Sequence, residues 1–176
     1  MKRSHDIPDA TGRQVTSLFE DILATLPESC ASLKIEPAKG ANGFSVTLIP
    51  SNERSAEFGA MVLEGCLYSA FFGKEPTFTD FECPWEIGLR RSAGLAQHLD
   101  VISKMCLAVI AGKCEHRFER CSNRGTICVS ETEVYRVMDI RLLGWFRPRR
   151  SIQAVQYAPY FPGAENHGRS FPRLSL

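Results

Sequence analysis

Near the N-terminus, apolar side chains recur every three or four residues, which is the spacing of one face of an α-helix. The members of this stripe are Val15, Leu18, Phe19, Ile22, Leu23 and Leu26. Thr11 and Gln14 stand before it with the spacing of a capping box, and Pro27 follows it. The pattern predicts a first amphipathic helix that starts near Thr11 and ends before Pro27.

Between residues 31 and 82 the pattern changes to β-rich runs, most of them with alternating apolar and polar side chains. The runs cover residues 31–36, 44–49, 57–63 and 66–72, with a further short edge strand over 77–81. Proline, glycine and asparagine separate them. Because such short connections join antiparallel neighbours, this part of the chain predicts an antiparallel meander.

A second helical stripe follows the meander. Its members are Leu95, Leu99, Ile102, Cys106 and Val109. We expect this helix to start between Trp85 and Ser92, and we expect Gly112 to end it as the left-handed residue after the cap. It is predicted to be the main helix lying on the sheet.

The stretch KCEHRFERC, residues 113–121, alternates again. A strand here places Cys114 and His116 on one face and the charged residues between them on the other. Residues 123–125 (Asn-Arg-Gly) are expected to turn the chain, so that residues 126–130 return as the second strand of a hairpin. Residues 131–143 fit a helix or a strand, with the β-branched residues favouring a strand, and residues 152–157 fit one more strand.

The order of these segments is helix, strands, helix, strands, without strict alternation of strand and helix. It predicts an α+β fold in which an antiparallel sheet of about five to seven strands carries an N-terminal helix and a central helix on one face. We expect residues 1–146 to form a single domain. Residues 147–176 would be a basic, aromatic C-terminal segment that packs on the domain or is partly disordered.

The composition of the chain limits the cellular compartments and the kinds of partner that we expect. The chain has 176 residues and a net charge of +1, which gives no global attraction to nucleic acid or to an anionic membrane. No apolar run approaches the ~18 residues of a membrane span, and no apolar run follows the basic N-terminal residues as in a secretory signal. The seven cysteines are an odd number spread through apolar segments, which favours reduced thiols in the cytoplasm.

Candidate chemistry concentrates at Cys114, His116, Cys121 and Cys128. Structural zinc sites commonly use a C-x2-4-C knuckle, whereas the spacing here is C-x-H followed by gaps of four and six residues. In the expected hairpin register, Cys121 faces away from Cys114. Side chains at i and i+2 of a strand are ~6–7 Å apart, which is beyond the ~3 Å of a nucleophile–base hydrogen bond. We therefore expect no catalytic group, metal or cofactor.

An enzyme or zinc-binding protein built around Cys114, His116 and Cys128 stays as the alternative. The paired carboxylates Glu115, Glu119, Glu131 and Glu133 alternate with arginines and fit a solvated, ion-paired surface better than an acid–base site. Signatures of phosphate-binding loops and of common hydrolases do not occur in the sequence.

The C-terminal segment carries the remaining functional signal. Residues 147–176 contain five arginines and one glutamate, so that this segment has a net charge of +4 and the rest of the chain −3. Arginine and aromatic side chains are the residues that protein interfaces concentrate at their anchors. The candidate partner-binding residues are Trp145, Phe146, Arg147, Arg149, Arg150, Tyr157 and Tyr160.

These observations predict a small, soluble, cytoplasmic protein-binding module without catalytic activity, such as a bacterial inhibitor or immunity-type protein. Its protein partner is unidentified, no membrane association is expected, and the formation of a homo-oligomer stays open. Single-stranded nucleic-acid binding through the arginine and aromatic residues is the second alternative, and the near-neutral net charge argues against it.

Overall fold

The computed structural model describes residues 10–37, 42–64, 66–73, 85–88, 94–118, 123–139 and 153–167. The helices in these ranges are α1 (Ala10–Ala24), α2 (Leu95–Ile110) and the short α3 (Ala164–His167). The strands of the first half are β1 (Ala31–Pro37), β2 (Gly43–Pro50), β3 (Glu57–Leu63), β4 (Cys66–Gly73) and β5 (Trp85–Gly88). Those of the second half are β6 (Cys114–Phe118), β7 (Asn123–Cys128), β8 (Val134–Asp139) and β9 (Gln153–Gln156).

The strands form two antiparallel sheets. The first has the order β1-β2-β3-β4-β5, and the second has the order β8-β7-β6-β9. The predicted α+β fold is confirmed. The described residues contain nine strands in two sheets, where a single sheet of about five to seven strands was expected. The predicted meander is present as β1 to β4, and the expected edge strand over 77–81 lies outside the described residues.

Helix α1 lies on the first sheet through the predicted apolar face. Val15 and Phe19 are completely buried, and the ring of Phe19 stacks on that of Phe58 of β3 with 6.1 Å between the ring centroids. The helix begins at Ala10, one residue before the expected cap, and ends at Ala24 before Pro27. Burial of this face is what fixes α1 on the sheet, since apolar contact area is the main favourable term in folding.

Helix α2 contacts α1, the first sheet through β3 and β4, and β7 of the second sheet. Its buried residues are Leu99, Ile102, Met105, Cys106, Ala108, Val109 and Ile110. The helix starts at Leu95, beyond the expected range, because residues Trp85–Gly88 form β5 and pair with β4 instead. Residues Trp85–Gly88, which fall in the range expected to contain the start of the helix, form a strand.

Gly112 ends α2 as predicted. Its φ is +72°, and its N–H donates to the carbonyl of Val109 while the N–H of Lys113 donates to that of Ala108. These two bonds define a Schellman motif. A Cβ atom at Gly112 would lie 2.7 Å from the backbone nitrogen of Pro159, so this turn also has no room for a side chain.

The hairpin after α2 has a different register from the predicted one. Cys114 pairs with Ile127 and Phe118 pairs with Asn123, so residues 123–125 belong to β7 and do not form the turn. Residues 119–122 connect the two strands and lie outside the described residues. In the ambiguous stretch 131–143, residues Val134–Asp139 form a strand, β8.

Residues 153–160, here called the C-terminal strap, return to the core. The strand β9 pairs with β6. The N–H of Tyr160 donates to the carbonyl of Ile110, and Asn52 and Ser55 both donate side-chain hydrogen bonds to the carbonyl of Pro159. The strap thus connects the second sheet with the β2–β3 loop. The expected domain boundary at residue 146 lies outside the described residues.

Among the helices of the described ranges, none combines the length and the apolar character needed to cross a lipid bilayer.

We expect Gly112→Ala to lower the free energy of unfolding by roughly 2–4 kcal/mol, because the substitution adds a clash with Pro159 to the cost of a left-handed alanine. Gly163→Ala is the matched control, since Gly163 also has a positive φ, +87°, but a Cβ atom there would have no neighbour within 4 Å. It should cost only about 1–2 kcal/mol. Urea denaturation measures both, and equal losses would contradict the packing of Pro159 on Gly112.

Candidate functional site

His116 is the buried side chain of the described residues whose imidazole group ordinarily accepts or donates a proton near neutral pH. It is 2 % exposed and lies where the two sheets meet. Its ring packs on Phe72 of β4 with 4.6 Å between centroids, and it meets the ring of Tyr157 edge-on at 5.4 Å. Its Nδ1 is 2.9 Å from the hydroxyl of Tyr157, which is hydrogen-bond distance.

Gly125 makes room for this arrangement. It pairs with His116 across β6 and β7, and a Cβ atom there would lie 2.9 Å from the ring of Phe72 and 3.0 Å from that of His116. A larger residue would separate Phe72 from His116, so glycine is required by packing at this strand position. The residue that was expected to form a turn instead lines the floor of the histidine site.

Burial lowers the pKa of His116 to about 4, because the charged imidazolium would lose its hydration. At neutral pH the ring is therefore uncharged. A neutral imidazole that is enclosed by two aromatic rings and hydrogen-bonded to a phenol is well suited to packing. It lacks the solvent access that a general base needs to reach a substrate.

Cys114 and Cys128 lie on opposite faces of the second sheet. Cys114 is 2 % exposed and pairs with Ile127, so the next residue, Cys128, faces the other way and is exposed. Burial raises the pKa of the Cys114 thiol far above its usual range, with a smaller contribution from Cys128. The thiol is thus protonated and a poor nucleophile.

The proposed metal ligands are not brought together. Cys114 and His116 share a face of β6, whereas Cys128 points away from them. Within the ranges that the structure describes, no group of three or more His, Cys, Asp or Glu residues is placed to hold a metal ion. Cys121, the remaining candidate, lies outside those ranges.

Two of the predicted partner-binding residues have their side chains in the core. Tyr157 is 8 % exposed and contacts His116. Tyr160 is 3 % exposed, its hydroxyl donates to the carbonyl of Ala56 at 2.9 Å, and burial raises its pKa. Both tyrosines therefore anchor the C-terminal strap. The other five candidates, Trp145, Phe146, Arg147, Arg149 and Arg150, lie outside the described residues.

Exposed apolar side chains mark a different set of positions. Among the described residues, the large hydrophobic side chains that are exposed are Ile35, Val134 and Val155. Each lies on the outermost strand of a sheet, namely β1, β8 and β9. Sequence reasoning missed these positions. The signal that was present is the pair of charges around Ile35 followed by Pro37, since charges and proline are typical of edge strands.

The rows of core-facing side chains continue to two of these edges. Ile35 is paired with Val46, which is completely buried, and Val155 is paired with His116. In both cases a line of paired side chains across the sheet starts in the core and ends at the edge strand, where the last side chain is exposed to solvent. Unpaired strand edges with such residues are the usual place where another chain adds a strand.

A comparison with known proteins found no family model that matches this chain, and no curated protein or solved structure that matches it. A functional conclusion therefore has to come from the arrangement of its own side chains. That arrangement encloses His116, Cys106 and Cys114 and leaves apolar side chains open at the sheet edges.

We expect acid to destabilise the fold through His116. The unfolded chain takes up this proton near pH 6.5 and the folded protein only near pH 4, so unfolding binds a proton between these values. The contribution of the neutral His116 to stability is then fully present above about pH 6.5 and falls by ~1.4 kcal/mol per pH unit between pH 6.5 and pH 4. Urea denaturation at pH 6.5 and pH 5 should show a loss of about 2 kcal/mol.

His116→Gln should remove most of this pH dependence, whereas His98→Gln, on the half-exposed surface of α2, should retain it. The same slope in His116→Gln as in the unchanged protein would contradict the assignment to His116.

We also expect the thiols to separate into two reactivity classes. Cys66 and Cys128 are exposed and should be alkylated rapidly, whereas Cys106 and Cys114 are buried and should react only after unfolding. Peptide mapping after a short pulse of iodoacetamide measures this for each cysteine. If Cys114 were labelled as fast as Cys128, its thiol would not be buried and protonated, and the enzyme or metal-binding alternative would be favoured.

Proposed function

We propose that the protein is a non-catalytic protein-binding module that recruits its partner along β9 and the arginine- and aromatic-rich segment before it. The observation that carries the proposal is the exposure of Val155, 38 %, in the middle of an edge strand. Its row neighbour His116 is buried, so a partner strand laid beside β9 would continue an existing row of contacts.

The backbone of β9 supports this proposal. On one side it pairs with β6, and no strand lies on its other side among the described residues. An extended partner segment can therefore add main-chain hydrogen bonds there, and it can use Val155 for side-chain contact. The side chain of Gln156 donates to the carbonyls of Gly112 and Cys114 and holds the end of β9 in place.

The rigidity of the strap also favours binding at β9. Tyr157 and Tyr160 follow the strand directly and are fixed by hydrogen bonds to His116 and Ala56. A strand held in this way loses little conformational freedom when a partner binds, which preserves affinity. Trp145, Arg147 and Arg149 precede β9 in the chain and supply residue types that are common at interface centres.

A role of inhibitor or immunity type in a bacterial cytoplasm is the form of this function that we favour. Such a role requires a stable fold and a recognition edge and makes no demand for a reactive group. The five described cysteines are free thiols, and two of them are completely or almost completely buried, which suits a reducing compartment.

The test is affinity purification of the tagged protein from its native cell followed by mass spectrometry, with Val155→Lys and Val134→Lys compared. The two valines are matched, because they are 38 % and 37 % exposed and lie on opposite edges of the same sheet. We expect a stoichiometric protein partner that is lost with Val155→Lys, since the lysine places a charge in the interface, and retained with Val134→Lys.

Trp145→Ala and Arg149→Glu should weaken the same complex if the preceding segment takes part. Retention of the partner by all three variants, or the absence of a stoichiometric partner, would refute binding along β9. Binding of a single-stranded oligonucleotide that weakens steeply with salt would instead support the nucleic-acid alternative.

A further inference from the structure

The five-stranded sheet has a longer open edge than β9 among the described residues. Strand β1 is the first strand of the five-stranded sheet, and no described strand lies on its outer side. It is seven residues long, against four in β9. Ile35, near its centre, is 51 % exposed, the largest exposed fraction among the three exposed hydrophobic residues of the described chain. A long edge with an exposed apolar residue is a template for strand pairing.

The two faces of β1 have different chemistry. Leu33 and Ile35 pair with Leu48 and Val46, which are completely buried, so these side chains lie on the face covered by α1. Lys34 and Glu36 lie on the other face, where Nζ of Lys34 is 3.0 Å from Oε2 of Glu36. Both charged side chains are about half exposed, at 52 % and 55 %.

We propose that β1 pairs antiparallel with β1 of a second copy of this chain, about a two-fold axis that passes at Ile35. The two five-stranded sheets then become one continuous sheet, with both α1 helices on the same face. A two-fold axis perpendicular to the sheet keeps each side chain on its own face. Residues opposite each other must therefore be both odd-numbered or both even-numbered, because side chains alternate between the faces along a strand.

The side chains of β1 select this axis. With the axis at Ile35, Ile35 faces its own copy and Leu33 faces Pro37, which joins apolar residues on the helix-covered face. On the other face Lys34 lies opposite Glu36 twice, and opposite charges across strands are stabilising. An axis at Lys34 or at Glu36 would place two like charges directly opposite each other, which is destabilising.

Lys34, Glu36 and Pro37 therefore restrict which strands can pair with β1 and in which register. Charges on an edge strand disfavour pairing with arbitrary strands, and proline interrupts the ladder at its end. A partner with the same sequence in the antiparallel direction places opposite charges across from each other, and Pro37 lies at the end of the paired region. Because β1 is complementary to itself in this register, a second copy of the chain is the partner that fits its open edge.

This pairing uses the first sheet, whereas the proposed function uses β9 of the second sheet, so each is tested without the other. Sedimentation velocity over a wide range of protein concentration should show a reversible monomer–dimer equilibrium. Lys34→Glu and Glu36→Lys should each raise the dimer dissociation constant by at least about tenfold, because each creates two pairs of like charges across the axis.

An equimolar mixture of these two variants provides the sharpest readout. One variant carries two carboxylates on the charged face of β1 and the other carries two ammonium groups, so that the mixture should form a heterodimer although each variant alone is weakened. The double variant with both substitutions should recover the homodimer. Lys104→Glu makes the same charge change on α2, where Lys104 pairs with Asp100, and should leave dimerisation unchanged.

Ile35→Lys, which adds two charges at the axis, should also abolish the dimer, and circular dichroism reports whether each variant is folded. A protein that stays monomeric at every concentration would overturn the proposal. The proposal would also fail if the charge variants dimerised like the unchanged protein, or if the mixture did not restore association.

Discussion

The contact between Phe72 and His116 joins the two halves of the fold. Phe72 belongs to the first sheet and His116 to the second, and their rings are 4.6 Å apart at the core. Burial at this contact disfavours the charged imidazole, and the close approach leaves no room for a side chain at Gly125. The hydroxyl of Tyr157 holds the orientation of the ring. The position of the C-terminal strap, and with it the exposure of β9, depends on this cluster.

The same cluster explains why His116 and Cys114, which share a face of β6, behave as core residues in the described part of the chain. A histidine and a cysteine on one strand face suggest chemistry when they are seen in isolation. In the fold, desolvation leaves the imidazole neutral and the Cys114 thiol protonated, so both behave as packing groups. Among the described residues, the large hydrophobic side chains that stay exposed lie on the outermost strands of the two sheets.

The parts of the fold that could be predicted from the sequence are those governed by local spacing. The apolar stripe of α1 and the glycine after α2 determine their elements through contacts within a few residues. The Asn-Arg-Gly stretch at 123–125 was assigned to a turn by the same local logic. There the packing of Gly125 under His116, a long-range requirement, overrides the turn propensity.

For the candidate site residues, too, local spacing in the sequence was not enough to predict their positions. Tyr157 and Tyr160 follow arginines in the sequence and resemble interface anchors, but their hydrogen-bond partners are 41 and 104 positions away and cannot be inferred from neighbouring residues. Ile35 shows the opposite case, since alternation alone places it on a buried face. Its exposure arises because β1 has no neighbour on its outer side among the described residues, which depends on strand order.

The hydrogen bonds of the strap have a consequence for the way a cell makes this protein. Asn52 and Ser55 bond to Pro159, more than one hundred residues later, and Tyr160 completes the core under Ala56. While the chain emerges from a ribosome, the first sheet and both main helices are synthesised well before the residues that close their core. Until then the edge of β6 that β9 occupies in the folded protein is open, so the last strand of the second sheet can be added only late in synthesis.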